Sequence, residues 1–123
     1  MSDEWRAKHF TRAEFSCRCG CKFDDIDLNL VDHLDAMREA LGIPLKVKSG
    51  CRCETYNASV GGKGDSAHTK GKAADIAMNG TIMRFTFISL ALKRGIKRIG
   101  IYNTFCHVDV AEDLPQYVMW TGK

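Results

Sequence analysis

Apolar residues recur along one face of residues 27–41. Leu30, Val31, Leu34, Met37 and Leu41 follow the three- and four-residue steps of an α-helix, and charged residues fill the other face. Gly42 and Pro44 supply its stop. Ahead of it, Thr11-Arg-Ala-Glu14 has the spacing of a capping box and predicts a short first helix. The run LKVK predicts a short strand, followed by the loop SGCRC and a helical turn near ETYNASV. Gly61, Gly62 and Gly64 mark an irregular loop in which positive φ angles are expected. Residues 73–78, AADIAM, predict a strand, and residues 82–94 a second long helix closed by Gly95. RIGIY and FCHVDV then read as a hairpin turning at Asn103-Thr104, and Val118, Met119 and Trp120 as a last strand. Helices and strands are mixed rather than strictly alternating. The expected class is therefore α+β, a small antiparallel sheet with helices packed on it.

At 123 residues the chain holds one domain, 1–123 with a core of about 9–120, and is too short for two. The apolar run around residues 86–92, like every other charge-free run, falls well short of the ~20 residues of a membrane span. The start, MSDEWRAKHF, lacks the apolar core of a signal peptide, so synthesis in the cytoplasm is expected, with release by another agent if the target lies outside. The net charge of +3 suits a polyanionic surface such as a bacterial cell wall, but it is too small and scattered to indicate nucleic-acid binding. The densest basic cluster, Lys93, Arg94, Lys97 and Arg98, falls at a predicted helix end, where cations complement the dipole.

Six cysteines occur as C-x-C-x-C (Cys17, Cys19, Cys21), C-x-C (Cys51, Cys53) and a lone Cys106. With no secretion signal, a disulfide framework is not the expectation. Structural zinc sites usually show C-x2-C steps, which this chain lacks, so a cysteine zinc site is left open but unsupported and the cysteines read first as buried or surface thiols, reduced in the cytoplasm.

The chemistry gathers around SAHTKGKAAD, residues 66–75. Strand period puts Ala73, Asp75 and Ala77 on one face, so Asp75 stands between two small residues that leave room around it. A buried carboxylate there needs a cation or strong donors. By the same period His107 and Asp109 project together from FCHVDV. Two histidines and an aspartate are a three-ligand set of the kind catalytic zinc uses, with the fourth position open. Such an ion lowers the pKa of bound water to about 7 and polarises a carbonyl, which suits amide hydrolysis. Spacing alone also accommodates a plainer reading: His68 a loop residue, Asp75 a strand-end cap, His107 a satisfied core residue. His9 and His33 read as surface or boundary residues, and Tyr102 and Trp120 as core aromatics rather than a cleft floor.

S-x-H-x-x-x-x-x-x-D followed far downstream by H-V-D resembles the signature of the D-alanyl-D-alanine carboxypeptidase family of zinc peptidases, whose fold the hedgehog signalling domain shares. The likeness extends in order through HFTRAEFSCRCGC, MREALGIPLKVKSGCRC, ETYNASVGGKGDSAHTKGKAADI and YNTFCHVDV to Trp120, roughly residues 9 to 120. It is closest to the compact branch that includes phage endolysins and bacterial cell-wall peptidases. The resemblance implies one Zn2+ held by His68, Asp75 and His107. It implies a substrate-carboxylate or oxyanion role for Arg52, a substrate contact for Ser66, and a place in the cleft for Asn57. Several branches carry a Glu or Asp three residues before the second histidine as general base; here that residue is Thr104. Asp109 is then the nearest candidate base, or else it orients His107, with Glu112 in reserve. The implied function is a zinc peptidase acting on peptidoglycan stem peptides or cross-links, as endopeptidase or carboxypeptidase. The expected form is a monomer without a membrane span, released to the wall by a holin. A zinc-stabilised, non-catalytic wall-binding module is the alternative.

Overall fold

A computed structural model describes residues 4–123. The helix expected at 27–41 forms as α1, Leu28–Leu41. The Asp27 side chain accepts hydrogen bonds from the Asn29 and Leu30 amides, satisfying two of the donors a helix start leaves free, and Gly42 ends the helix at φ 71°. Its apolar stripe, Leu30, Val31, Leu34 and Met37, is buried. The second long helix is α3, Thr81–Lys93, which buries Phe87 and Ala91. Between them lies the short α2, Glu54–Ser59, on the predicted helical turn. The capping box at Thr11 starts only a single 3-10 turn, Arg12–Phe15, whose Phe15 is fully buried in the core.

Five strands form one sheet: β1 (Val47–Ser49), β2 (Ala73–Ala77), β3 (Arg98–Ile101), β4 (Phe105–Asp109) and β5 (Val118–Thr121), in the spatial order β1-β2-β4-β3-β5. The sheet is mixed, which corrects the all-antiparallel expectation: β5 runs parallel to β3. The reason is topological. β4 is already paired on both sides, with β2 and β3, so the next strand cannot add beside it and joins at the edge of β3. A chain that reverses after β4 necessarily runs parallel to β3, because β3 and β4 are antiparallel.

The two faces of the sheet have different work. Ala74, Ile76, Ile99, Cys106 and Val108 point into the core shared with α1 and α3. The opposite face carries a row of cross-strand partners, Ser49, Asp75, His107, Gly100 and Trp120, one from each strand. Gly100 is needed in that row, since a Cβ there lies 2.6 Å from the Trp120 indole nitrogen.

Gly71 shows how tightly the loops seat beside the sheet. It sits at φ 69°, and a Cβ there comes within 2.1 Å of the Asp25 carbonyl oxygen. Gly42, at φ 71°, has open space around it. Gly42→Ala is therefore expected to cost only the left-handed backbone penalty of about 1–2 kcal/mol. Gly71→Ala adds a backbone collision and is expected to cost clearly more in urea unfolding; equal losses in the two variants contradict the close packing at Gly71.

Candidate metal centre

Three segments deliver the site. A 3-10 turn, Ala67–Lys70, forms in the stretch expected to be irregular loop, with the Ser66 side chain capping it at the His68 amide and Gly71 ending it in the left-handed region. That turn carries His68. Asp75 and His107 come from the middles of β2 and β4, where they are direct partners in the ladder. All three are buried: His68 is 2% exposed, Asp75 5% and His107 9%. Polar groups so enclosed need partners of matching character.

The partners settle which nitrogen of each ring faces inward. His68 Nδ1 lies 2.7 Å from the Gly50 carbonyl oxygen, which can only accept, so Nδ1 carries the proton. Its Nε2 then points a lone pair at Asp75 Oδ1, 3.2 Å away. His107 Nε2 lies 2.6 Å from Asp109 Oδ2, so the proton belongs there, and Nδ1 faces Asp75 Oδ1 at 3.0 Å. Three acceptor lone pairs thus converge on one point, with their donor atoms all within 4.8 Å of one another. Acceptors repel unless a cation lies among them. Zinc with bonds of about 2.0–2.1 Å holds its ligand atoms about 3.3 Å apart in a tetrahedron, close to the two observed separations. The donor set fits the ion.

The electrostatics agree. Burial pushes Asp75 toward its neutral form, but the charge that His107 and His68 carry when protonated, and the hydrogen bonds they then donate, outweigh it and hold the carboxyl well below the usual carboxylate range. Burial likewise disfavours a charged His107, yet Asp109 and Asp75 reverse this and raise its pKa above the ordinary imidazole value. Both shifts describe a pocket organised to hold positive charge.

Around these three stands a supporting layer. Asp109, 1% exposed, spends Oδ2 on His107 and Oδ1 on Arg98 Nε at 2.7 Å and the Ala111 amide at 3.1 Å. Arg98 also donates to the Pro115 carbonyl at 2.6 Å, tying down the connection into β5. On the other side Arg52 donates from Nη2 to Asp75 Oδ2 at 3.1 Å, from Nε to Ser49 Oγ and from Nη1 to Asn57 Oδ1. Asn57 is buried behind the cleft and clasps the glycine loop through its Nδ2, which donates to the Lys63 carbonyl at 2.7 Å. Gly62 must lack a side chain there, because a Cβ meets Asn57 Oδ1 at 2.0 Å.

The site opens into a cleft of about 820 Å³ whose walls include Arg52, Ser66, Tyr102 and Trp120. Tyr102 and Trp120, read from sequence as core residues, line this cleft instead. Their polar tips meet, Trp120 Nε1 donating to the Tyr102 hydroxyl at 2.9 Å, and the indole packs 5.3 Å from the His107 ring. Glu112 lies in a separate surface hollow with Asp27 and Lys72, and Thr104 is in the β3–β4 turn, its hydroxyl accepting from Lys48. His9 pairs with Glu39 and His33 with Arg94, each outside the cleft. Two residues beside the site escaped the sequence reading. Arg98 was legible in principle, since counting back from the hairpin turn pairs it with Asp109. Asp65, an exposed carboxylate on the cleft wall, carries no local signal.

A family model described as Peptidase M15 matches residues 8–110, a span that takes in all three donors together with Arg52 and Asp109. A search of the curated proteins finds no match to the chain.

Asp109→Asn tests the supporting layer. A carboxylate behind a metal-bound imidazole typically contributes 10–100-fold in affinity or activity. Zinc affinity, measured by competition with a chromophoric chelator, is expected to fall by about that factor in the variant. Affinity equal to that of the unsubstituted protein contradicts an orienting role through His107.

Proposed function

The chain belongs to the Peptidase M15 family, and from that premise we propose that it is a zinc-dependent peptidase cutting peptide bonds in bacterial peptidoglycan stem peptides or cross-links. One observation carries the reading: the outer hydrogen bonds of His68 and His107 leave two bare imidazole nitrogens aimed at a buried carboxylate, inside an open cleft. Zinc held by His68, Asp75 and His107 supplies a Lewis acid that lowers the pKa of a bound water to about 7 and polarises a carbonyl.

The chain's own residues do the rest. Gly50 and Asp109 keep the two rings in the tautomers that face the donor set. Arg52 uses three of its five N–H groups internally, leaving two for a substrate carboxylate or for the oxygen that gains charge as the carbonyl is attacked. Ser66, at the mouth, is within the wall that a peptide backbone meets. The Tyr102–Trp120 pair gives the cleft an apolar side against which a stem peptide packs.

Hydrolysis also needs a group to take a proton from the attacking water and return it to the leaving amine. Asp109 has both oxygens engaged and a side chain with no exposed surface, which supports a positioning role. Among the carboxylates of the cleft wall, Asp65 has the exposure to exchange protons, and we assign it that step. The same reading places the protein's work at the cell wall, with a holin as the releasing partner.

Purified peptidoglycan incubated with zinc-loaded protein is expected to give new products by mass spectrometry, abolished by chelator. Loss of a terminal D-Ala identifies a carboxypeptidase, and new internal amino termini an endopeptidase. If several wall chemotypes yield nothing while zinc is verified in the protein, the peptidase reading fails in favour of a zinc-stabilised binding module. Asp65→Asn is expected to lower turnover about 100-fold or more with zinc content unchanged. Undiminished turnover in that variant removes Asp65 from the proton transfer.

A further inference from the structure

A second set of donors converges away from the cleft. Cys17, Cys19 and Cys21 occupy the loop after the Arg12–Phe15 turn, and Cys53 caps α2 from more than thirty residues away. Their four sulfurs all lie within 4.8 Å of one another. Cys17 and Cys19 are 3.5 Å apart, Cys19 and Cys53 3.6 Å. Disulfide sulfurs stand about 2.05 Å apart. Four thiolates about 2.3 Å from a tetrahedral zinc stand about 3.8 Å apart, close to what is found.

The backbone is shaped to the same end. Gly20 at φ 88° and Lys22 at φ 73° are both left-handed, and they curl the loop so that its three alternating cysteines turn to one centre. The loop is closed by the Cys17 amide donating to the Phe23 carbonyl at 2.8 Å. This curl achieves what C-x2-C spacing does in other zinc sites. Two amides point at sulfur: Cys53 N–H at Cys17 Sγ and Tyr56 N–H at Cys53 Sγ, each at 3.4 Å. Each of these sulfurs is thus held in place as an acceptor. Arg18, Lys22 and Arg52 directly adjoin these cysteines in sequence. The remaining thiols behave differently. Cys51 and Cys106 are fully buried among apolar residues of the core and join no such group.

We propose that Cys17, Cys19, Cys21 and Cys53 bind a second zinc ion, a structural one separate from the His68–Asp75–His107 site. Four sulfurs complete a tetrahedral shell and leave no position for water or substrate, which is the mark of a structural site. The thiols lose their protons to solvent as the ion binds, so nothing is oxidised or reduced. The ion clamps the 17–21 loop to the start of α2. It thereby fixes the backbone next to Arg52, whose guanidinium reaches Asp75.

Native mass spectrometry of the full chain, prepared with zinc under reducing conditions, is expected to count two ions. His68→Ala is expected to retain one, and the Cys19→Ser/Cys21→Ser double variant to retain the other. Cobalt substitution gives an independent signature: a thiolate-to-metal charge-transfer absorption that persists in His68→Ala and is lost in the cysteine variant. The His68→Ala spectrum carries the test should the cysteine variant not fold. A single zinc in the unsubstituted protein, with its four cluster thiols freely alkylated, overturns the proposal. So does a disulfide within the cluster that persists under reductant, or a cobalt spectrum free of sulfur charge transfer. None of these outcomes touches the catalytic reading, which depends on His68 and not on the cysteines.

Discussion

The pairing of Asp75 with His107 across the centre of the sheet is the constraint on which the molecule is organised. Each residue is the other's direct partner in the β2–β4 ladder, so a carboxylate and an imidazole are pressed together, both buried, at the centre of the sheet. A buried carboxylate left unpaired is costly, and this one is also fixed in place by a backbone that cannot move without unzipping the sheet. The same register sends Ala74, Ile76, Cys106 and Val108 to the opposite face and into the core. A slip of one residue exchanges the two faces, burying the charges in the core and exposing the apolar set. Site and core are therefore specified by one register.

The supporting layer follows from that enclosure. Each member of the pair and its neighbours is engaged on its far side: His68 by Gly50, His107 by Asp109, Asp109 by Arg98, and Asp75 by Arg52. These chains end in different parts of the fold. Arg98 holds the connection to β5 through Pro115, and Arg52 reaches through Asn57 to the glycine loop. The glycines complete the arrangement by omission, Gly62 making room for Asn57 and Gly100 for Trp120. The rigidity this gives the donor set is what a metal site requires, since ligands held in place lose little freedom when the ion binds.

Segment 50–57 links the two clusters. Gly50 orients His68, Arg52 grips Asp75, Cys53 joins the four-sulfur group, and Asn57 carries the loop beside the cleft. Cys51 anchors this segment in the apolar core, while Cys53 beside it is only partly covered. Metal–thiolate bonds are a means of fixing such a segment that needs little buried surface.

Much of this was open to reading along the chain. The apolar stripe of α1, the Gly42 stop, the β3–β4 hairpin and the alternation that sets Asp75 on one face of its strand and His107 with Asp109 together on one face of theirs are local features, set by periods of 3.6 and 2 residues. Local periodicity therefore determined the main helices and strands and the faces of Asp75 and His107, while the resemblance in the motif, not periodicity, marked His68 as the third candidate ligand. It did not determine the 3-10 turn at His68, because four residues without apolar periodicity give no signal. Nor did it show that Tyr102 and Trp120 face the cleft, that β5 runs parallel to β3, or that Cys53 meets a loop more than thirty residues earlier. Each of these depends on which strand edge remained free and which segments then came to lie side by side. Contacts between distant residues leave no period in the sequence, and only the folded chain decides them.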